Sequence, residues 1–94
     1  MVTLFVRHKV KDYGVWKNAY DAFGATRQKM GVSDAAVFKD GSDPSIVIVI
    51  HRFNDLGAAV AFADSAELKA TMQNAGVASA PELWFGEELE RTTH

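Results

Sequence analysis

Five consecutive β-branched apolar residues, Ile46–Ile50, constrain this chain more than any other feature. A strand sends alternate side chains to opposite faces, so both faces of this segment are apolar and both need cover. The chain has 94 residues, the length of one domain spanning 1–94. A chain of that size buries only roughly 60–65% of its unfolded surface, so its own core is modest. The remaining sequence offers helical segments enough to cover one face of one sheet. The other face is therefore expected to meet a second subunit or to bound an enclosed cavity.

Apolar residues make up 48% of the chain, enough for a packed core and too many for disorder. The absence of cysteine excludes disulfides and thiolate metal sites. The 10 basic and 12 acidic residues are mixed along the chain, with a net charge of -2 and no basic block suited to a phosphate backbone. Glu82, Glu87, Glu88 and Glu90 gather near the C-terminus, a pattern typical of a solvated edge. No segment reaches the ~18 apolar residues of a membrane helix, and no basic leader precedes a long apolar stretch. A cytoplasmic protein with neither nucleic-acid nor membrane partners is the expectation.

The punctuation of the sequence predicts four strands and two helical regions. Thr3–Val10 alternates as a strand, with Leu4, Val6, His8 and Val10 on one face and Thr3, Phe5, Arg7 and Lys9 on the other. Asp12 caps a helix from Tyr13 to Lys29 or Met30, with Trp16, Ala19, Tyr20, Phe23 and Met30 near one side. Gly24 inside it marks either a close approach to the sheet or a small kink, and Gly31 is the stop. Val32–Lys39 is a second strand, Asp40–Pro44 a turn, and Ser45–Phe53 a third strand completing a hairpin. Asn54 or Asp55 caps the second helical region, which breaks at Asp64-Ser65 and ends at Gly76. Pro81 precedes a fourth strand over Glu82–Leu89, and Arg91–His94 is expected to fray. The order β-α-β-β-α-β is the ferredoxin-like pattern: a four-stranded antiparallel sheet with the helices on one face. That topology puts the first and third strands, the two most apolar, at the centre.

His8 and His51 are the candidate catalytic residues, one on each central strand. If they share a sheet face, they can line a chamber jointly as acid, base or hydrogen-bonding groups; otherwise they are packed histidines at strand ends. Two histidines without a third ligand or a ligand-spaced motif do not specify a metal site, so none is expected. Trp16, Tyr20 and Phe23 have the helical spacing of core residues. Tyr13 lies at a strand–helix junction, where its phenol can reach a cleft mouth or simply pack. Trp84 and Phe85 fall on opposite faces of the fourth strand, so one of them is expected to meet the second layer, as a ligand wall or as interface core. Arg52 can bind an anionic substrate or pair with an acid of another strand. Nucleotide-binding glycine loops and nucleophile elbows are absent.

The run His8-Lys9-Val10-Lys11-Asp12-Tyr13-Gly14-Val15-Trp16 reads as HxVxDYxxW. With it go Asp43-Pro44, Phe53-Asn54-Asp55, Ala61–Leu68, Ala75-Gly76-Val77 and Pro81. Together these resemble the dimeric α/β-barrel superfamily, specifically its antibiotic-biosynthesis-monooxygenase-like and cyclase-like small proteins. The resemblance implies a homodimer whose two sheets face each other as a barrel. It also implies small-molecule chemistry on an aromatic or polyketide-like substrate without a tightly held cofactor, as a cofactor-free oxygenase or cyclase-like enzyme. The alternative is a non-enzymatic ligand-binding or structural homodimer. On the first reading His8 and His51 act on the substrate, while Tyr13, Trp16, Arg52 and Trp84 contact it.

Overall fold

The computed structural model describes residues 1–93. Its elements are β1 (Val2–Lys9), α1 (Tyr13–Ala22), α2 (Gly24–Lys29), β2 (Asp34–Lys39), β3 (Ile46–Phe53), α3 (Leu56–Ala63), α4 (Ala66–Asn74) and β4 (Glu82–Glu87). The strands form one antiparallel sheet in the order β2-β3-β1-β4, so the two most apolar strands are central. This is the ferredoxin-like architecture expected from the sequence; the sheet is open rather than closed into a barrel. Among the described residues, no helix is long and apolar enough to cross a membrane.

Local chemistry sets the boundaries. The Asp12 carboxylate accepts from the Val15 amide at 3.1 Å, Asp55 from Ala58 at 2.8 Å, and the Ser65 hydroxyl from Leu68 at 3.1 Å. Each side chain occupies an amide that the first helical turn leaves unpaired. Gly31 and Gly76 take positive φ, +98° and +72°, a backbone conformation that costs glycine least, and turn the chain out of its helices. In the hairpin turn Asp40 accepts from Ser42 and Asp43, and Asp43 accepts from Ser45.

Several boundaries differ from the sequence expectation, among them the starts of β1, β2 and β3 at Val2, Asp34 and Ile46. The first helix is divided at Phe23, whose amide is shared between the carbonyls of Ala19 and Tyr20, and Gly24 opens α2. Gly24 makes no close approach to the sheet, and the helix is interrupted beside it more fully than by the small kink of the other reading. Strand β1 stops at Lys9, with Val10 making only an isolated bridge to Val77. Strand β4 stops at Glu87, which pairs with Val2 at the start of β1, and the Glu88 amide donates to the Met1 carbonyl just beyond it. Of the segment expected to fray, His94 lies outside the described residues.

The two faces of the sheet have different fates. Val2, Leu4, Val6 and His8 of β1 and Val47, Val49, His51 and Phe53 of β3 are buried beneath the helices. Phe23 and Phe62 pack onto Phe53, Leu4 and Val6 at one end, and Trp16 onto Val47 and Val49 at the other. The opposite, open face carries Phe5, Ile46, Ile48 and Ile50, only half-buried, with Phe38 and Trp84 largely exposed. The expectation that Trp84 and Phe85 diverge holds: Trp84 pairs with Phe5 on the open face, and Phe85 lies opposite Leu4 on the helix side.

Phe62 is fully buried and meets Phe23, Phe53 and His51 at ring distances of 6.0, 5.5 and 5.2 Å. Phe62→Ala is expected to cost about 3–5 kcal/mol, read as a lower urea midpoint with an unchanged slope.

Candidate functional site

The β1–β3 register resolves the question of the histidines. Val47 lies opposite His8 and Leu4 opposite His51, so both imidazoles project from the helix-covered face. They are the buried polar residues of the sheet, 4% and 2% exposed. They are not neighbours: His51 is four residues along β3 from the partner of His8, roughly 14 Å at ~3.4 Å per residue. The two histidines share a face and mark opposite ends of it.

Trp16 and Tyr20, one turn apart on α1, span the interval. The rings form a row. His8 meets Trp16 edge-on at 5.8 Å, Trp16 stacks on Tyr20 at 4.9 Å, and Tyr20 lies 5.9 Å from His51. Beside the row is a cavity of about 20 Å³, bounded by His8, Trp16, Tyr20, His51 and, from α4, Thr71 and Met72. That is room for about one water molecule.

The polar chemistry of this space is confined to few atoms. The Tyr20 hydroxyl and His51 Nε2 are hydrogen-bonded at 3.1 Å. His51 Nδ1 and both ring nitrogens of His8 are buried without a hydrogen-bond partner. Burial lowers the pKa of His8. Burial, aided by the positive charge of Arg27, lowers that of His51 to about 4. Both rings are therefore neutral at physiological pH, each with one N–H and one lone pair; both are unpartnered in His8, whereas Tyr20 engages one of them in His51. Arg27 lies over the Tyr20 ring at 3.7 Å and also donates to the Tyr20 carbonyl. The Tyr20 phenol is raised above its ordinary value, chiefly by burial. A ligand here would meet an apolar wall interrupted by neutral imidazoles.

The other residues singled out from the sequence divide. Trp16 is buried in the cavity wall. Tyr13 stacks on Trp16 at 5.8 Å but is half exposed, and it lines a separate hollow with Val37 and Pro44. Arg52 and Trp84 do not join the site. Each lies on the open face, where Arg52 pairs with Asp34 at 3.6 Å and Trp84 stacks on Phe5 at 5.3 Å. Strand alternation puts them on the far side of the sheet from the histidines, the face expected to meet a second layer. Among the described residues, no three His, Asp or Glu side chains come together in a potential metal-binding group. Sequence reasoning treated Tyr20 as core and did not single out Arg27 or Thr71. The spacing Trp16–Tyr20 was the available signal for Tyr20, and Leu68–Thr71–Met72–Ala75 for the α4 wall.

No protein-family model matches the sequence, and no curated protein matches it. Solved structures do match in fold. SnoaB, a cofactor-independent oxygenase from Streptomyces nogalater, aligns with a TM-score of 0.79 and 11% identity over 99% of this chain and 97% of its own. A candidate antibiotic biosynthesis monooxygenase from Bordetella bronchiseptica aligns at 0.80 and 10% identity, covering 95% and 97%. A Nitrosomonas europaea protein of unknown function aligns at 0.62 and 25% identity, covering 99% and 93%. The chain thus has the small α+β fold of antibiotic-biosynthesis-monooxygenase proteins, the likeness expected from its sequence motifs.

The lowered histidine values make stability depend on pH. The imidazole of an unfolded chain takes up its proton near pH 6.5, whereas that of folded His51 does so only near 4. Between these values the unfolded state binds more protons, so the folded state loses stability as pH falls through this window. A shift of this size corresponds to about 3 kcal/mol, all of it retained above pH 6.5. Urea titrations from about pH 7 to pH 4.5 are expected to follow that loss, and His51→Phe to remove the His51 share of it and leave that of His8.

Proposed function

We propose that this protein acts on a flat, aromatic or polyketide-like small molecule held between the sheet and α1/α4, as a cofactor-free oxygenase or cyclase-like enzyme. The observation carrying this reading is the pair of buried neutral imidazoles with unpartnered nitrogens in an otherwise apolar site. Leaving a buried polar atom unpaired costs about 1–3 kcal/mol, and such groups are candidates for a functional role. The same fold in a cofactor-independent oxygenase supports the choice of chemistry.

In the oxygenase form, the free lone pair of His8 accepts the proton of a substrate phenol. The phenolate carbon then bonds molecular oxygen, and the resulting hydroperoxide loses water to leave a quinone. Phenol and oxygen are thereby converted to quinone and water. His51, held by Tyr20, is a poor base with a pKa of about 4, and it orients the substrate by hydrogen bonding.

A second reading is favoured by one specific observation. The cavity of about 20 Å³ admits no aromatic ring without movement of its walls. On that reading the protein is a non-enzymatic homodimer with packed histidines. Oxygen uptake separates the two. With a dihydroxynaphthalene as substrate, the native protein consumes oxygen, and His8→Leu slows consumption by about 10²–10⁴-fold. Because His8 makes no hydrogen bond, the same variant is expected to be as stable as the native protein, or about 1 kcal/mol more stable. No uptake by the folded native protein establishes the second reading.

The proposal includes a homodimer formed through the open face. Phe5, Ile48, Ile50, Phe38 and Trp84 supply an apolar centre. The pairs Arg7–Glu82 at 3.0 Å and Arg52–Asp34 at 3.6 Å supply a charged rim. An apolar centre inside a polar rim is the anatomy of a protein interface, and one sheet face against its own copy satisfies two-fold symmetry. Sedimentation at micromolar concentration is expected to give the dimer mass, and Ile48→Lys to give the monomer. A native protein that remains monomeric contradicts this assembly.

A further inference from the structure

The buried cavity has a larger neighbour. On the flank of α4 facing β4 lies an open groove of about 450 Å³, lined by Ala63, Lys69, Gln73, Pro81 and Leu83. That volume lies within the range of small-molecule sites, which are ~300–1,000 Å³. One side chain, Met72, borders both spaces. It is half-buried on α4, between the inward-facing Leu68 and Ala75 and the outward-facing Lys69 and Gln73.

We propose that Met72 is the access residue of the site: its side chain separates the groove from the histidine cavity, and its displacement joins them into one ligand-binding space. The inference rests on the reading of the cavity as a small-molecule site. It answers the size objection to that reading, since the missing volume lies one side chain away. Methionine suits the position. It is unbranched with three rotatable bonds, and its thioether packs against aromatic rings, so it can close an apolar passage and leave it at low cost. The ligand class follows from the two compartments. A flat apolar body enters past Met72, and a carbonyl or hydroxyl group at its leading edge meets the unpartnered nitrogens of His8 or His51. The trailing end remains in the groove, where Lys69 supplies a cation with no carboxylate within ion-pair distance among the described residues.

Naphthoquinone is a suitable probe. It is flat and apolar, carries two carbonyl acceptors and quenches tryptophan emission. The absence of cysteine removes thiol adducts. In a Trp84→Phe background the remaining tryptophan is Trp16, in the cavity wall. Stopped-flow quenching then reports entry directly. Opening the passage with Met72→Ala is expected to raise the association rate about tenfold, because binding no longer waits on a conformational step. Met72→Phe, which plugs the passage with a stiffer ring, is expected to lower it by a similar factor, and it serves on its own if the alanine variant does not fold. Binding detectable only in the alanine variant also supports the assignment. Quenching with association rates unchanged in both variants overturns the role of Met72 and leaves the small-molecule reading intact. Absence of quenching in every folded variant overturns both.

Discussion

The pairing of β1 with β3 is the constraint on which the rest of the molecule depends. Its register, with Val6 opposite Val49 and Phe5 opposite Ile50, sorts every residue of the two central strands onto one of two faces. A slip of one residue would turn Ile48 and Ile50 under the helices and push His51 and Phe53 out. The helices follow from that sorting. Phe62, Phe23 and Trp16 can pack only where Leu4, Val6, Val47 and Val49 present an apolar floor. The site follows too, because the same alternation that builds the floor also carries His8 and His51 into it.

Those two histidines are where the fold departs from simple packing. A leucine at either place would complete the apolar floor, yet three ring nitrogens are buried there without partners. The local consequences are consistent with one another. Burial holds both rings neutral, Tyr20 fixes one edge of His51, and Arg27 is held against the outer face of Tyr20. A row of four rings thus links the two ends of the sheet, with α4 as the opposite wall. Local inconsistency between an apolar setting and a polar side chain is characteristic of functional positions.

Much of the fold was legible in the sequence because its signals are local. Asp12, Asp55 and Ser65 cap helices where their spacing says they should, and the Asp-Gly-Ser-Asp-Pro turn closes the expected hairpin. The break at Phe23 was less legible, since a shared amide depends on how tightly Phe23 is drawn into the core. The end of β4 was hidden for another reason: it depends on pairing with β1, which is distant in sequence. The site was only half visible. Parity assigned Leu4, Val6 and His8 to one face and Val47, Val49 and His51 to another. Only the register shows that these are the same face. Trp84 and Arg52 attracted attention as an aromatic and a charge in strands, but they belong to the open side. Tyr20 and Met72 resemble ordinary core residues in one dimension, and their bearing on the cavity comes from three-dimensional placement alone.

The β1–β3 register buries both imidazoles, uncharged, under the helices. Imidazole nitrogen chemical shifts, followed by nitrogen-15 NMR from about pH 8 to pH 4, test it directly. His51 is expected to take up its proton only near pH 4, and His8 below the ordinary histidine value. Titration of either ring at its ordinary value near 6.5 would contradict it, because that behaviour requires an imidazole in contact with water.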